Sequence, residues 1–318
     1  MPVCSIVIRA FNEERHIPRL LTGIREQNIR DVQVILVDSG STDGTVAAAR
    51  QYGVDIVHIL PQEFTFGRSL NRGIAAASAD LVVIASAHIY PVYPDWLERL
   101  LEPFTDPRVA LAYGKQRGSP STHFSEHQIF RQWFPDEAHP DQPYPFCNNA
   151  NAAIRKERWL ELPYDETLTG LEDLAWARRV QEQGHAIHYV PEAEVIHVHS
   201  ETWHGIFNRY RREAIAFKQI YPHESFTADD FNRLLRAHIR NDWQTAWREG
   251  VFWKVWLDVV RFRWQQLRGT YIGYRQSGPL TWQLKKAFYY PRWNIAPPVP
   301  REVEPIDYQQ SPPREVSS

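Results

Sequence analysis

Only two cysteines, Cys4 and Cys147, occur in 318 residues. A disulfide framework needs more, so the fold is expected to stand on its core in a reducing compartment. No stretch approaches the ~18 uncharged apolar residues of a spanning helix. The opening Met1-Pro2-Val3-Cys4-Ser5-Ile6 reads as the start of a strand and lacks the basic and apolar regions of a secretion signal. Charge of one sign is missing too. A formal net charge of −2 speaks against a polyanion binder and against nucleic acid as a partner. Internal repeats are absent. Apolar residues, by contrast, make up 43% of the chain, enough for one large domain with an appendage.

Residues 3–8 form an apolar run that reads as a buried strand. Ile17, Leu20, Leu21 and Ile24 follow at i, i+3, i+4, i+7, one face of a helix. Further strands are expected at 32–37, 55–60, 81–85 and 109–113, with helices at 68–78 and 95–104. Strands alternating with helices imply an α/β fold with a mostly parallel sheet flanked by helices. Asp38–Gly44 is a turn in which Ser41, Thr42 or Asp43 is placed to cap the next helix. From 115 to 165 the periodicity fades and long loops around a pocket are expected, with one strand at 150–154. A helix at 171–183 ends at Gly184, and short strands are expected at 187–190 and 195–198. Beyond residue 200 the pattern is helical, roughly 201–221, 228–247 and 251–268, with Thr227 as a helix cap. The chain thus divides into an α/β part at 1–200, a C-terminal helical extension at 201–295 and a Pro-rich tail at 296–318 expected to be disordered.

Ligands of open α/β sheets bind beyond the carboxyl ends of the strands. Three such ends carry polar residues: Arg9–Glu13, Asp38–Asp43 and Ser86–His88. Asp38 and Glu13 stand where a carboxylate can accept hydrogen bonds from a nucleobase or ribose. Glu13 and Asp43 have a second reading as helix caps.

The strings SIVIRAFNEE, VDSGSTDGT, FGRSLNRGIAAASADLVV and GLEDLAWA, in that order over roughly residues 3–200, resemble family 2 glycosyltransferases of the GT-A fold, a Rossmann-like nucleotide-binding sheet. The resemblance implies a nucleotide-sugar donor, held by Arg9, Phe11, Glu13, Asp38, Arg68, Asn71, Ser86 and Ala87. The family's Arg directly before its Asn is Leu70 here, and Arg68 is the nearby substitute. The family's Glu-Asp pair matches Glu172 and Asp173. That implies Asp173 as general base of an inverting transfer and Glu172 in acceptor positioning. On structural grounds alone the pair also suits a helix N-terminus.

The largest departure from the family lies at the fourth strand. Its Asp-x-Asp, which binds a divalent cation across the diphosphate, is Ser86-Ala87-His88 here. Imidazole in place of carboxylate favours Mn²⁺ or another transition ion over Mg²⁺. Polypeptide N-acetylgalactosaminyltransferases use Asp-x-His with a later His, and His197-Val198-His199 offers that second ligand. Of the two, the expected ligand is His197. The other reading leaves His88 and His197 as plain hydrogen-bonding residues without a metal.

Acceptor or diphosphate contacts are expected from Asn149, Asn151, Trp176, Arg209 and Arg212, the last two an i, i+3 pair. Residues 248–294 hold nine Lys or Arg, two acidic residues and twelve aromatics, among them Trp253, Trp256, Trp264, Trp282 and Trp293. That mix suits a peripheral contact with an anionic membrane, or an aromatic core with solvated cations. The expected partners are therefore a nucleotide-sugar donor, a saccharide or lipid-linked acceptor and a membrane surface. The expected place is the cytoplasm, including the inner face of the plasma membrane. Two rival readings stand beside this one. A non-catalytic relative that binds sugar nucleotides accounts for the altered metal motif but not for Glu172-Asp173. A sugar-1-phosphate nucleotidyltransferase would open with a Gly-rich loop, and Arg9–Glu13 has no glycine.

Overall fold

The computed structural model describes residues 1–276 together with Leu284, Phe288 and Tyr289. In chain order the elements are β1 (Cys4–Ala10), α1 (Ile17–Arg25), β2 (Val32–Asp38), α2 (Thr45–Arg50), β3 (Asp55–His58), α3 (Phe66–Ala76), β4 (Leu81–Ser86), β5 (Ile89–Pro91) and α4 (Trp96–Leu101). They continue as β6 (Val109–Gly118), α5 (Phe124–Trp133), β7 (Asn151–Arg155), α6 (Lys156–Glu161), α7 (Glu172–Glu182) and β8 (Ala186–His197). The last three are α8 (Trp203–Ile220), α9 (Ala228–Arg248) and α10 (Phe252–Arg275). The tail at 296–318, and with it Trp282 and Trp293, lies outside the described residues.

One eight-stranded sheet runs in the order β3-β2-β1-β4-β7-β6-β8-β5. β3, β2, β1 and β4 are parallel. β7 enters antiparallel between β4 and β6, β8 lies parallel to β6, and β5 returns antiparallel at the edge. The reversal of β7 brings its first residue, Asn151, beside Ala85 near the end of β4. At the far side His197, the last residue of β8, pairs with Gly118 and with Ile89. The ends of β1, β2, β4, β6 and β8 therefore gather along one rim, where an α/β sheet binds ligands.

Both faces of the sheet are covered, which is why its strands read as unbroken apolar runs rather than alternating ones. Leu20, Leu21 and Ile24 of α1 and Trp96, Leu97 and Leu100 of α4 pack on Ile6, Ile8 and Val83. Leu70 and Ile74 of α3 and Trp176 and Val180 of α7 pack on Val7, Ile35 and Ile84. Thr65 caps α3 by accepting from the Arg68 amide.

Three expectations differ in part from what forms. About half of the 115–165 stretch lies in the end of β6, α5, β7 and α6, while the chain between α5 and β7 is the long pocket loop that was expected. α5 shows little periodicity because it is buried by the helical extension, with Ser125 and Glu126 among its buried residues. The two short strands expected at 187–198 are a single strand, β8, with register shifts against β6 at Val109/Leu111 and Gly114/Gln116. The helix at 95–104 ends at Leu101 and tightens into a 3₁₀ turn over Glu102–Thr105, which carries Pro103.

The extension is a helical layer. α10 lies close along α8, because a Cβ at Gly269 or Gly273 would collide with backbone oxygens of Phe207 and Arg211. A buried bidentate pair ties α9 to α10: Arg263 Nε donates to Asp242 Oδ2 at 2.7 Å and Nη2 to Oδ1 at 2.9 Å. Ser125 of α5 donates its hydroxyl to the same carboxylate at 2.6 Å. Thr227 and Asp230 form a capping box at the start of α9. Among the described residues no helix is long and apolar enough to cross a membrane.

Candidate active site

The rim of the sheet carries two adjoining cavities. The first, about 400 Å³, is polar and is lined by Arg9, Glu13, Phe66, Ser86, His88, Asn149 and Arg212 among others. The second, about 620 Å³, is mainly aromatic, with Trp133, Phe134, Tyr144, Phe146, Phe217 and Tyr221 in its wall. Asn148, Asp173, His197, His199 and Arg209 line both.

Asp173 stands at that junction because α7 begins there. Leu171, just before the helix, holds a left-handed φ of 55°, a strained conformation for a leucine and a common mark of a functional turn. The Asp173 carboxylate accepts from the Leu174 amide at 2.8 Å and from the Asn149 amide at 3.2 Å. Burial, followed by the neighbouring charge of Glu172, pushes its pKa up to about 7, against smaller opposing contributions from the two amides and from Arg9. Glu172 is buried and pairs with Arg9 at 3.0 Å, tying α7 to the end of β1. Phe66 lies between two cations, with Arg9 4.9 Å and Arg212 4.6 Å from its ring centre. Arg212 makes no ion pair among the described residues, and its Nε is buried without a hydrogen-bond partner.

His88, His197 and His199 converge, each offering one ring nitrogen within 4.8 Å of the others. Each ring is held by its Nδ1: His88 on Glu13 Oε1 at 2.9 Å, His197 on Gln116 Oε1 at 2.7 Å, His199 on Glu126 Oε1 at 2.7 Å. The Nε2 atoms of His197 and His199 are 3.1 Å apart. Both rings, not His197 alone, face the site, as residues two apart on an extended chain do. Burial, followed by His199, His88 and Arg209 beside it, pushes His197 well below its ordinary pKa. Burial acts to raise Glu126, but Arg209 and His199 outweigh it and hold the carboxyl well below its usual range. Arg209 bridges Glu126 at 2.6 Å and Glu201 at 2.8 Å.

Several residues expected at the donor or acceptor have partners within the protein, and two of them, Trp176 and Asn151, lie in the core. Trp176 is 1% exposed and donates from its indole to the Leu162 carbonyl, inside the core. Asn151 is fully buried; it accepts from the Trp96 indole and donates to the carbonyls of Lys115 and Ala193. Asn71 has its amide spent on Tyr164, Glu166 and Trp159. Ala87 turns into the core between Ser86 and His88. Arg68 pairs with Glu166 at 2.7 Å. Asp38 accepts from the amides of Gly40 and Ser41 and faces His58 at 3.3 Å. Glu13 orients His88, while Phe11 is half-buried in the loop after β1. Asn149 remains at the cavity, its Nδ2 buried without a partner. Gln116 and Glu126 had no motif to announce them; only their convergence on the histidines does.

A mostly parallel sheet with a polar cavity at its rim, a carboxylate in the cavity wall and converging ring nitrogens has the form of an α/β ligand site. Residues 5–160 match the model of glycosyl transferase family 2. The O-antigen chain rhamnosyltransferase WbaN of Salmonella anatum is 30% identical over 224 residues, 66% of this chain and 70% of that protein. The O-antigen chain rhamnosyltransferase RfbN of Salmonella typhimurium is 26% identical over 219 residues, 65% of this chain and 69% of that one. The chain belongs to glycosyl transferase family 2. Its fold resembles the mannosyltransferase PcManGT of Pyrobaculum calidifontis in complex with GDP-Man and Mn²⁺, with a TM-score of 0.60 and 17% identity over 84% of this chain and 86% of that one. It also resembles glucosyl-3-phosphoglycerate synthase of Mycobacterium tuberculosis with Mn²⁺, UDP and glucosyl-3-phosphoglycerate, with a TM-score of 0.52 and 21% identity over 69% of this chain and 80% of that one.

Proposed function

We propose that this chain moves a sugar from a nucleotide-sugar donor to a hydroxyl of a saccharide or lipid-linked acceptor, with inversion, using Asp173 as general base. The observation that carries the reading is the position of Asp173 in the wall shared by a polar and an aromatic cavity. A carboxylate there reaches the acceptor hydroxyl from one side while the anomeric carbon is presented from the other. Its raised pKa suits proton abstraction near neutrality. The aromatic wall, with Trp133 stacked on Phe146 at 4.6 Å, suits a sugar face or an apolar carrier. The Arg9–Phe66–Arg212 stack and Asn149 suit the diphosphate and donor sugar. His88 and His197 are placed to hold a divalent cation, which when bound supplies positive charge to the leaving diphosphate. The O-antigen rhamnosyltransferase relatives direct the first tests to rhamnosyl donors and O-antigen-type saccharides.

We assign the sheet, Asp173 and most of the donor cavity to residues 1–200, with Arg212 of α8 completing that cavity, and support of α5 to the rest of the helical extension. Around the turn between α9 and α10 and along the first half of α10, Trp247, Trp253, Trp256 and Trp264 are exposed, with Arg248, Lys254 and Arg261 near them in the chain. This favours a cytoplasmic enzyme resting on an anionic membrane surface. Calorimetric titration with a panel of nucleoside diphosphates, with Mn²⁺ and then with EDTA, tests the donor site. Micromolar binding of one nucleotide is expected; absence of binding across the panel overturns the transferase reading.

A further inference from the structure

We infer that the cation site of this protein is a three-imidazole site, His88, His197 and His199, that takes nitrogen-preferring transition ions and rejects Mg²⁺. The inference rests on the transferase reading for its purpose, not for its chemistry. It departs from the family's pair of carboxylates in both ligand type and ligand number.

The argument starts from proton positions. The three Nδ1 atoms face Glu13 Oε1, Gln116 Oε1 and Glu126 Oε1. These oxygens accept, so each Nδ1 donates and leaves Nε2 as the atom the ring can offer a metal. The Ser86 hydroxyl, 3.2 Å from His88 Nε2, can donate to one of them. Nothing comparable serves the other two: His197 Nε2 and His199 Nε2 face each other at 3.1 Å. Two lone pairs in that position repel unless a proton or a cation lies between them. Two imidazoles bound to one ion at M–N distances near 2.0–2.1 Å place their nitrogens about 2.9–3.4 Å apart, and the observed separation falls in that window.

The surrounding residues fit the same reading. A ring nitrogen that faces a metal has its other N–H held by a carboxylate or carbonyl, which fixes the tautomer and raises ligand basicity. All three rings have such a partner, and Glu126 is itself fixed by Arg209 at 2.6 Å. A second possible group, Glu126 with His199 and Glu201, is weaker. Both its carboxylates already pair with Arg209, and His199 turns only its protonated Nδ1 toward Glu126. Mg²⁺ prefers oxygen ligands and keeps its waters, whereas imidazole suits Mn²⁺, Co²⁺ and Zn²⁺ in rising order of affinity.

The test uses untagged full-length protein stripped with EDTA and titrated with Co²⁺ in the absence of nucleotide, read by visible d–d absorption. One equivalent of Co²⁺ is expected to bind. Zn²⁺ should displace it, and a hundredfold excess of Mg²⁺ should not. His199→Ala should weaken Co²⁺ binding at least ~10-fold, and Glu126→Gln, which keeps volume but loosens the His199 ring, ~10–100-fold. Circular dichroism of each variant checks the fold, and wild-type protein alone tests the Mg²⁺ arm if a variant fails to fold. Absence of Co²⁺ bands, displacement by Mg²⁺, or unchanged affinity in a folded His199→Ala overturns the site and leaves a shared proton between His197 and His199. Nucleotide binding that survives EDTA alongside absent Co²⁺ bands would sink this inference and spare the transferase. Co²⁺ binding without nucleotide binding would do the reverse.

Discussion

The pH dependence of catalysis follows from the environment of Asp173. Burial and the charge of Glu172 set its pKa at about 7, whereas a free aspartate titrates near ~4. A base must be ionised to act. At pH 6 about a tenth of the enzyme carries the ionised base, and at pH 5 about one part in a hundred, so kcat/KM should fall ~10-fold and ~100-fold. An ordinary carboxylate would leave the rate nearly unchanged over that range. The groups that face Asp173 are Glu172 on its own helix, Arg9 on β1, the Cys147 thiol, the Tyr164 hydroxyl, and the amides of Leu174 and Asn149. Asp173→Asn should lower kcat ~10²–10⁴-fold. It should also raise stability at alkaline pH. A carboxyl whose folded pKa lies above its unfolded value binds its proton more tightly when folded. Its ionisation therefore penalises the fold progressively as pH rises from ~4 to about 7, and fully above, by at most about 4 kcal/mol. Below pH ~4 that gain disappears. The assay is initial-rate kinetics from pH 5 to 8.5 beside thermal melts of wild type and Asp173→Asn, with nucleotide affinity followed at each pH to separate loss of donor binding from loss of the base. A kcat/KM flat between pH 7 and 5 in folded enzyme, or near-normal turnover by Asp173→Asn, would refute the assignment.

Arg212 is the cation at the donor cavity with no ion pair among the described residues, so Arg212→Ala should lower kcat ~10²-fold with the fold intact; unchanged turnover would move leaving-group stabilisation elsewhere. Asp242→Ala strands Arg263 in the interior and should cost about 3–5 kcal/mol in urea unfolding, while Asp242→Leu with Arg263→Met should cost less than the single change. A single-mutant cost below about 1 kcal/mol would mean water reaches the pair. Trp253 is 77% exposed, and Trp253→Ser with Trp256→Ser should abolish co-sedimentation with vesicles containing phosphatidylglycerol without altering kcat on a soluble acceptor. Equal binding by the variant would discard the membrane contact.

The apolar runs and their alternation with helical spacing determined the α/β class by themselves, because burial on both faces of a parallel sheet leaves a continuous signal in each strand. The turn chemistry of Asp38–Gly44 and the Glu172-Asp173 pair at a helix start were legible for the same local reason. His88 and His197 were visible as departures from an otherwise familiar frame. What only the tertiary structure decided is who faces the cavity. Asn151 and Trp176 sit in motifs that suggest ligand contacts, yet the reversal of β7 and the packing of α7 spend both on the core. His199 lies two residues from His197, a spacing that sets both rings on one side of an extended chain; that both reach His88 is decided by the packing of β8 against β5 and β6. Gln116 and Glu126 come from β6 and α5, distant in the chain, and no local pattern links them to the histidines they orient. Local pattern reports what one segment buries; the side chains that converge on a point from five elements are set by how those elements pack.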